Sequence, residues 1–193
     1  MKRRSFLSLL QLFPTAVAVN ILGGCSTTKE EKAVSNLDFF KSLDFEDGIR
    51  VVVGTFQRFP LQYAATLGRD GDAQIRPLEF KFEEDGVLYF DTVEYYESYA
   101  ELLEHPYIQV CICDQETMTY VRLGGKVNFT KDQSVIDRCF EASPVLTSLF
   151  GSNREKVIGY YLTEARAEFV SFSDELPNHK YDLPNNYDTE ATQ

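Results

Sequence analysis

The segment Tyr63-Ala-Ala-Thr-Leu67, Arg69-Asp-Gly-Asp72, Ala73-Gln-Ile-Arg-Pro-Leu-Glu-Phe-Lys-Phe82, Asp85-Gly86, Val87-Leu-Tyr-Phe-Asp-Thr92 decides the fold class. Three runs rich in β-branched and aromatic residues are separated by two turn signals, and apolar side chains recur at Ile75, Leu78, Phe80 and Phe82. This pattern predicts three consecutive antiparallel strands forming a meander. Downstream, a helix is expected over residues 96–104, ending near Pro106 because the residue before a proline disfavours helical geometry. Strand character resumes over 107–114 and 118–129. Residues 132–150 follow the helical period, with Val135, Ile136, Cys139 and Phe140 on one face. Residues 156–172 form a long final strand in which polar and apolar residues largely alternate.

Upstream, residues 36–46 place Leu37, Phe39, Phe40 and Leu43 at near-helical spacing behind a candidate Asn36 cap. Residues 49–59 carry two signals: Val51, Val52 and Val53 favour a strand, and the following Gly54-Thr-Phe-Gln-Arg-Phe59 suits a helical turn. The tail over 174–193 is rich in Pro, Asn and Asp and is expected to be extended or disordered. About six antiparallel strands with peripheral helices predict a mainly β (α+β) domain built as a closed or split β-barrel.

The chain has 193 residues, and its start reads as an address. Lys2, Arg3 and Arg4 precede an apolar stretch broken by Pro14 and Asn20, and Leu22-Gly-Gly-Cys25 resembles the lipobox of bacterial lipoproteins. The paired arginines match a twin-arginine export signal. The resemblance implies cleavage before Cys25 and lipidation of that cysteine, and the alternative is a retained signal anchor. The expected organisation is a signal peptide over 1–24, a lipidated Cys25 with a polar tether over 25–35, the barrel domain over 36–173 and the tail. The expected location is the extracytoplasmic side of a bacterial membrane. After cleavage 16 basic residues face 30 acidic ones, a charge of −14 that opposes nucleic acid and anionic lipid headgroups.

Cysteine use gives no framework. Cys111, Cys113 and Cys139 are odd in number, and the first two, two apart on a strand, face one side and read as small core side chains. With only His105 and His179 to add, no metal site is expected. His105 reads as a helix C-terminal residue and Gly124-Gly125 as a bulge inside a strand.

The region from about residue 61 to 172 resembles the pyridoxamine 5′-phosphate oxidase-like family, the FMN-binding split barrels. The resemblance is carried in order by Tyr63-Ala-Ala-Thr66, Ala73-Gln-Ile-Arg-Pro-Leu-Glu-Phe80, Asp85-Gly-Val-Leu-Tyr-Phe-Asp-Thr92, Glu101-Leu-Leu-Glu-His-Pro106, Tyr120-Val-Arg-Leu-Gly-Gly-Lys126 and Tyr160-Tyr-Leu-Thr-Glu-Ala-Arg-Ala-Glu-Phe-Val-Ser-Phe172. It implies a homodimer with two FMN sites at the subunit interface. It also implies that Arg76 and Lys81 lie near the flavin phosphate or ring, and that backbone groups at Arg76, Pro77 and Leu78 face the isoalloxazine edge. Thr92 then lies near the ribityl phosphate, with Ser98 and Arg122 in the cofactor-contact set. For Arg122 the residues alone equally suit a salt bridge to an acidic neighbour.

The chain departs from the family where the true oxidases carry a phosphate-gripping serine, arginine and lysine: it has Tyr96, Glu97 and Ser98. A carboxylate in place of a cation beside a phosphate costs about 1 kcal/mol or more per contact near a surface. Tyr95, Tyr96 and Tyr99 either stack on a ring or pack as core. The resemblance therefore implies an extracytoplasmic FMN-binding oxidoreductase acting on a small molecule. The alternative is a non-catalytic module that has lost FMN and binds haem, another ring ligand or nothing. Pyridoxamine phosphate itself is not the expected substrate, because the family's C-terminal substrate-binding extension is not recognisable in residues 173–193.

Overall fold

A computed structural model describes residues 34–184. The expected signal peptide, Cys25 and most of the expected tether lie outside the described residues. Two helices lead in. Ser35 caps α1 (Asn36–Lys41), its Oγ accepting from the Asp38 N–H at 3.1 Å, and Asp47 caps α2 (Gly48–Arg58) through the Arg50 N–H at 3.1 Å. The undecided stretch is thus a helix. Val51, Val52, Thr55 and Phe56 share its buried face, so the cap and the burial of that face override the strand preference of three consecutive valines.

The strands are β1 (Gln62–Leu67), β2 (Ala73–Leu78), β3 (Phe82–Glu84), β4 (Val87–Val93), β5 (Tyr107–Asp114), β6 (Thr119–Thr130), β7 (Val157–Ser171) and β8 (His179–Asp182). They form one antiparallel sheet of eight strands in the order β2-β1-β5-β6-β7-β4-β3, with β8 added on β7. The expected meander is corrected. β1 and β2 pair as a hairpin, but β4 pairs with β7 and β3, at the other end of the sheet path. The chain makes this crossing at residues 79–81, where the predicted second strand breaks. The Phe80 N–H donates to Gln62 Oε1 at 2.7 Å and the Lys81 N–H to the Tyr89 carbonyl at 3.1 Å, so this segment bridges the split in the barrel.

Asp85 (φ 51°) and Gly86 (φ 82°) make the tight β3–β4 reversal, a left-handed pair suited to a two-residue hairpin. The Gly124-Gly125 bulge is present, with the β6–β7 register shifting between Gly124 and Lys126. A Cβ on Gly124 would sit 2.1 Å from Gln109 Nε2. Part of the expected tail forms β8, whose Tyr181 hydroxyl donates to the Phe45 carbonyl at 3.1 Å.

Between β4 and β5 lies α3 (Glu97–Glu104), ending at His105 as its C-cap. The helix expected over 132–150 is two helices, α4 (Gln133–Ala142) and α5 (Pro144–Phe150). Pro144 cannot continue α4 but suits the first turn of α5, and Ser143 Oγ accepts from the Leu146 N–H at 3.1 Å. The barrel interior is filled by Phe56, Phe80, Phe90, Val110, Leu123, Tyr160 and Phe169 among others. A smaller cluster of Ile136, Cys139, Phe140, Leu146 and Val157 seats α4 and α5.

The reading of Cys111 and Cys113 as core is also corrected. Ile108, Val110 and Ile112 take the buried face of β5, which leaves Cys111 half-buried and Cys113 exposed, whereas Cys139 is fully buried. Among the described residues no helix is long and apolar enough to cross a membrane.

Gln62 is 0% exposed and holds the split together: besides accepting from Phe80, its Nε2 donates to the carbonyls of Phe56 (3.1 Å) and Phe59 (2.6 Å). Replacing it with leucine strands these backbone groups without a polar partner. A Gln62→Leu variant is expected to lose about 2–4 kcal/mol in denaturant unfolding, and a loss under about 0.5 kcal/mol would contradict this role.

Candidate functional site

A cleft of about 690 Å³ opens at the split. Its walls come from the start of β1, from β2, from the crossing segment, from β4, and from α3 and α5. Pro60, Leu61, Leu78, Leu102, Val145, Leu146, Leu149 and Phe150 give it a mostly apolar lining, with Tyr160 among its deepest groups. The size falls in the usual range for ligand sites, about 300–1,000 Å³.

The structure brings together most of the residues singled out from sequence. Arg76, Pro77, Leu78, Lys81, Thr92 and Ser98 all line the cleft, as does Tyr96. Thr92 Oγ1 and Ser98 Oγ stand 3.4 Å apart, joining the end of β4 to the first turn of α3. Tyr96, the residue before that turn, makes no side-chain cap, so the helix start presents backbone N–H groups beside two hydroxyls. Arg122 does not join them. It pairs with Glu168 at 2.5 Å in a separate cleft with Gly124, Gly125 and Arg166, and the two clefts share no lining residue. Glu97 is exposed and does not line the cleft. Tyr99 packs edge-on against Phe129, centroids 4.7 Å apart, so it serves packing while Tyr96 faces the cleft.

Both cations of the cleft are already engaged. The Arg76 guanidinium grips Glu101 bidentately, Nη1 to Oε2 and Nη2 to Oε1 at 2.7 Å each, and Nη1 also donates to Thr66 Oγ1 at 2.8 Å. Thr66 donates to Glu101 in turn at 2.6 Å. The Lys81 side chain is 4% exposed and sits between Glu79 (2.7 Å) and Asp91 (3.1 Å). Ser143 Oγ donates to the same Glu79 oxygen at 2.7 Å.

The carboxylates respond in different directions. Hydrogen bonds from Arg76, outweighing burial, hold Glu101 below its usual range. Burial alone would raise Glu79, but Lys81 and Ser143 hold it down. For Asp91 burial wins over Lys81 and pushes its pKa up. Burial also pushes the nearby Cys139 thiol up to about 12, so that thiol is inert at neutral pH.

No family model and no curated protein matches the sequence. Solved structures do match. A NimC/NimA family protein from Clostridium acetobutylicum superposes with a TM-score of 0.62 at 19% identity, over 74% of this chain and 93% of its own. A pyridoxamine 5′-phosphate oxidase-related, FMN-binding protein from Nostoc punctiforme gives 0.51 at 15% identity, over 75% and 98%. The chain has the pyridoxamine 5′-phosphate oxidase-like split-barrel fold. A haem-binding protein from Mycobacterium smegmatis shares that split barrel, with a TM-score of 0.52 at 13% identity, over 64% of this chain and 52% of its own.

The split-barrel cleft fits a flavin only in part. Its apolar walls and the β2 strand suit a flat ring, β2 pairing only with β1 among the described residues and so leaving one backbone edge without a strand partner. Among the described residues of the lining no cation is left free for a phosphate dianion, because two cations face three carboxylates. Sequence reasoning missed those three. Asp91 was the one charge in an otherwise apolar and hydroxylic strand, and Glu101 follows Ser98 by three residues on α3, which puts both on one helix face.

Glu101 also makes a pH prediction. Its pKa is depressed in the folded protein, so its contribution to stability is full above the ordinary value of 4.5 and is lost as pH falls below that value towards the folded one. In denaturation series from pH 7 to pH 3, wild type should lose more stability below about pH 4.5 than Glu101→Gln does. Identical pH dependence in the two proteins would remove Glu101 from this account.

Proposed function

We propose that the chain is a flavin-binding redox protein acting on a small molecule, a homodimer held by lipid at Cys25 on the extracytoplasmic side of a membrane. The observation that carries the reading is the cleft: a ring-sized apolar slot beside the β2 edge, with Arg76, Pro77 and Leu78 on one wall and a hydroxylic end at Thr92 and Ser98. FMN binding by a protein of this fold supports the flavin. Exposed Leu61, Tyr63 and Ile75 on the β1–β2 hairpin support a second copy as partner. The export reading rests on residues 1–25 alone.

A bound flavin would supply hydride or electron transfer. The protein's own part is to orient the ring against β2, to exclude water with the apolar walls, and to keep Lys81 and Asp91 at the cleft wall as a site where a proton is held. No further catalytic residue is assigned.

The second reading is a non-catalytic module for another ring ligand, favoured by the engaged cations and by the haem-binding neighbour. Haem is the poorer occupant of this cleft, since among the described lining residues there is no histidine, methionine or cysteine to ligate iron, and tyrosine, at Tyr96 and Tyr160, is the one usual ligand type present.

Titration of the purified full-length protein with flavins, followed by quenching of flavin fluorescence, separates these readings. Saturable binding is expected. Leu149 lines the cleft from α5 and is 65% exposed, so Leu149→Trp should leave the fold intact and weaken binding at least about tenfold by filling the slot. A colourless protein that binds no flavin contradicts the proposal.

A further inference from the structure

The charge arrangement bears on which flavin the cleft takes, an inference that rests on the flavin reading above. A site built for a phosphate dianion supplies donors that gain by meeting negative charge, chiefly cations that are otherwise unpaired. In this cleft each cation has its carboxylate. Arg76 spends both terminal nitrogens on Glu101, and Lys81 lies between Glu79 and Asp91 with its side chain 4% exposed. To turn towards a phosphate, Arg76 would have to leave Glu101 buried without its cation, since the Glu101 side chain is 6% exposed.

The hydroxylic end has a different character. Thr92 and Ser98 have no free cation among the described residues of the cleft lining, since Arg76 is held by Glu101 and Lys81 by Glu79 and Asp91. Glu97, exposed in the first turn of α3 outside the cleft lining, adds an acidic group next to Ser98 in the chain. Hydroxyls there can exchange hydrogen bonds with a polyol chain as donors and as acceptors, and a neutral chain meets no repulsion.

The geometry points to a cleft that prefers a flavin with an uncharged ribityl tail, the riboflavin type, over one ending in phosphate. The experiment is parallel titration of the purified full-length protein with riboflavin and with FMN at low and high sodium chloride. Riboflavin is expected to bind at least as tightly as FMN at low salt. FMN affinity should rise or stay level as salt is added, because screening removes repulsion; a cationic cradle gives the opposite slope. Glu101→Gln releases the Arg76 guanidinium from its carboxylate and should improve FMN relative to riboflavin by roughly tenfold. FMN binding more than about tenfold tighter than riboflavin in wild type, with affinity falling as salt rises, overturns the preference and leaves the flavin reading standing. Binding of neither flavin overturns both.

Discussion

The bidentate pairing of Arg76 with Glu101 ties the structure together at the point where function is read. β2 pairs only with β1 among the described residues, and its side chains alternate between exposed and half-buried. Arg76 fastens this strand to α3, and the shared Thr66 hydroxyl fastens both to β1. Buried ion pairs of this kind recover their desolvation cost only when the geometry is good and the remaining hydrogen bonds are made. Here Glu101 accepts three short hydrogen bonds, two from Arg76 and one from Thr66. The same pairing that fixes the cleft wall also removes its most obvious phosphate ligand.

The crossing at residues 79–81 repeats this logic on the other side of the split. Gln62 satisfies the Phe80 N–H and two carbonyls near the end of α2, and Lys81 is buried against two carboxylates. A polar cluster thus sits where two ends of a sheet fail to meet, beside a gap. That gap is the cleft, and its place in the fold follows from the break between β2 and β3.

Much of the fold was legible in the sequence because its signals are local. The Asp85-Gly86 reversal, the Gly124-Gly125 bulge, the period of α3 and the alternation in β7 each declare themselves within a few residues. What was not legible depends on partners far along the chain. The pattern over residues 73–92 reads as a meander, yet β4 goes to β7, because the break at residues 79–81 is stabilised by Gln62, Asp91 and Ser143 from elsewhere in the chain, alongside its own Glu79–Lys81 pair. Cys111 and Cys113 looked apolar enough for a core that Val110 and Ile112 fill. At the site, the positions implied by the family resemblance grouped Arg76, Lys81, Thr92 and Ser98 as neighbours. They did not reveal that Glu101, Glu79 and Asp91 neutralise the cations, and within one chain Arg122 lines a separate cleft.

The site has a divided character, a slot shaped for a flat ring and a tail end poor in free positive charge. A crystal structure of the protein soaked with riboflavin tests it most directly. The account predicts the isoalloxazine against Arg76, Pro77 and Leu78, the ribityl hydroxyls at Thr92 and Ser98, and the Arg76–Glu101 pair unbroken. A ring seated at the Arg122 cleft, or an Arg76 side chain turned away from Glu101 towards the ligand, would contradict it.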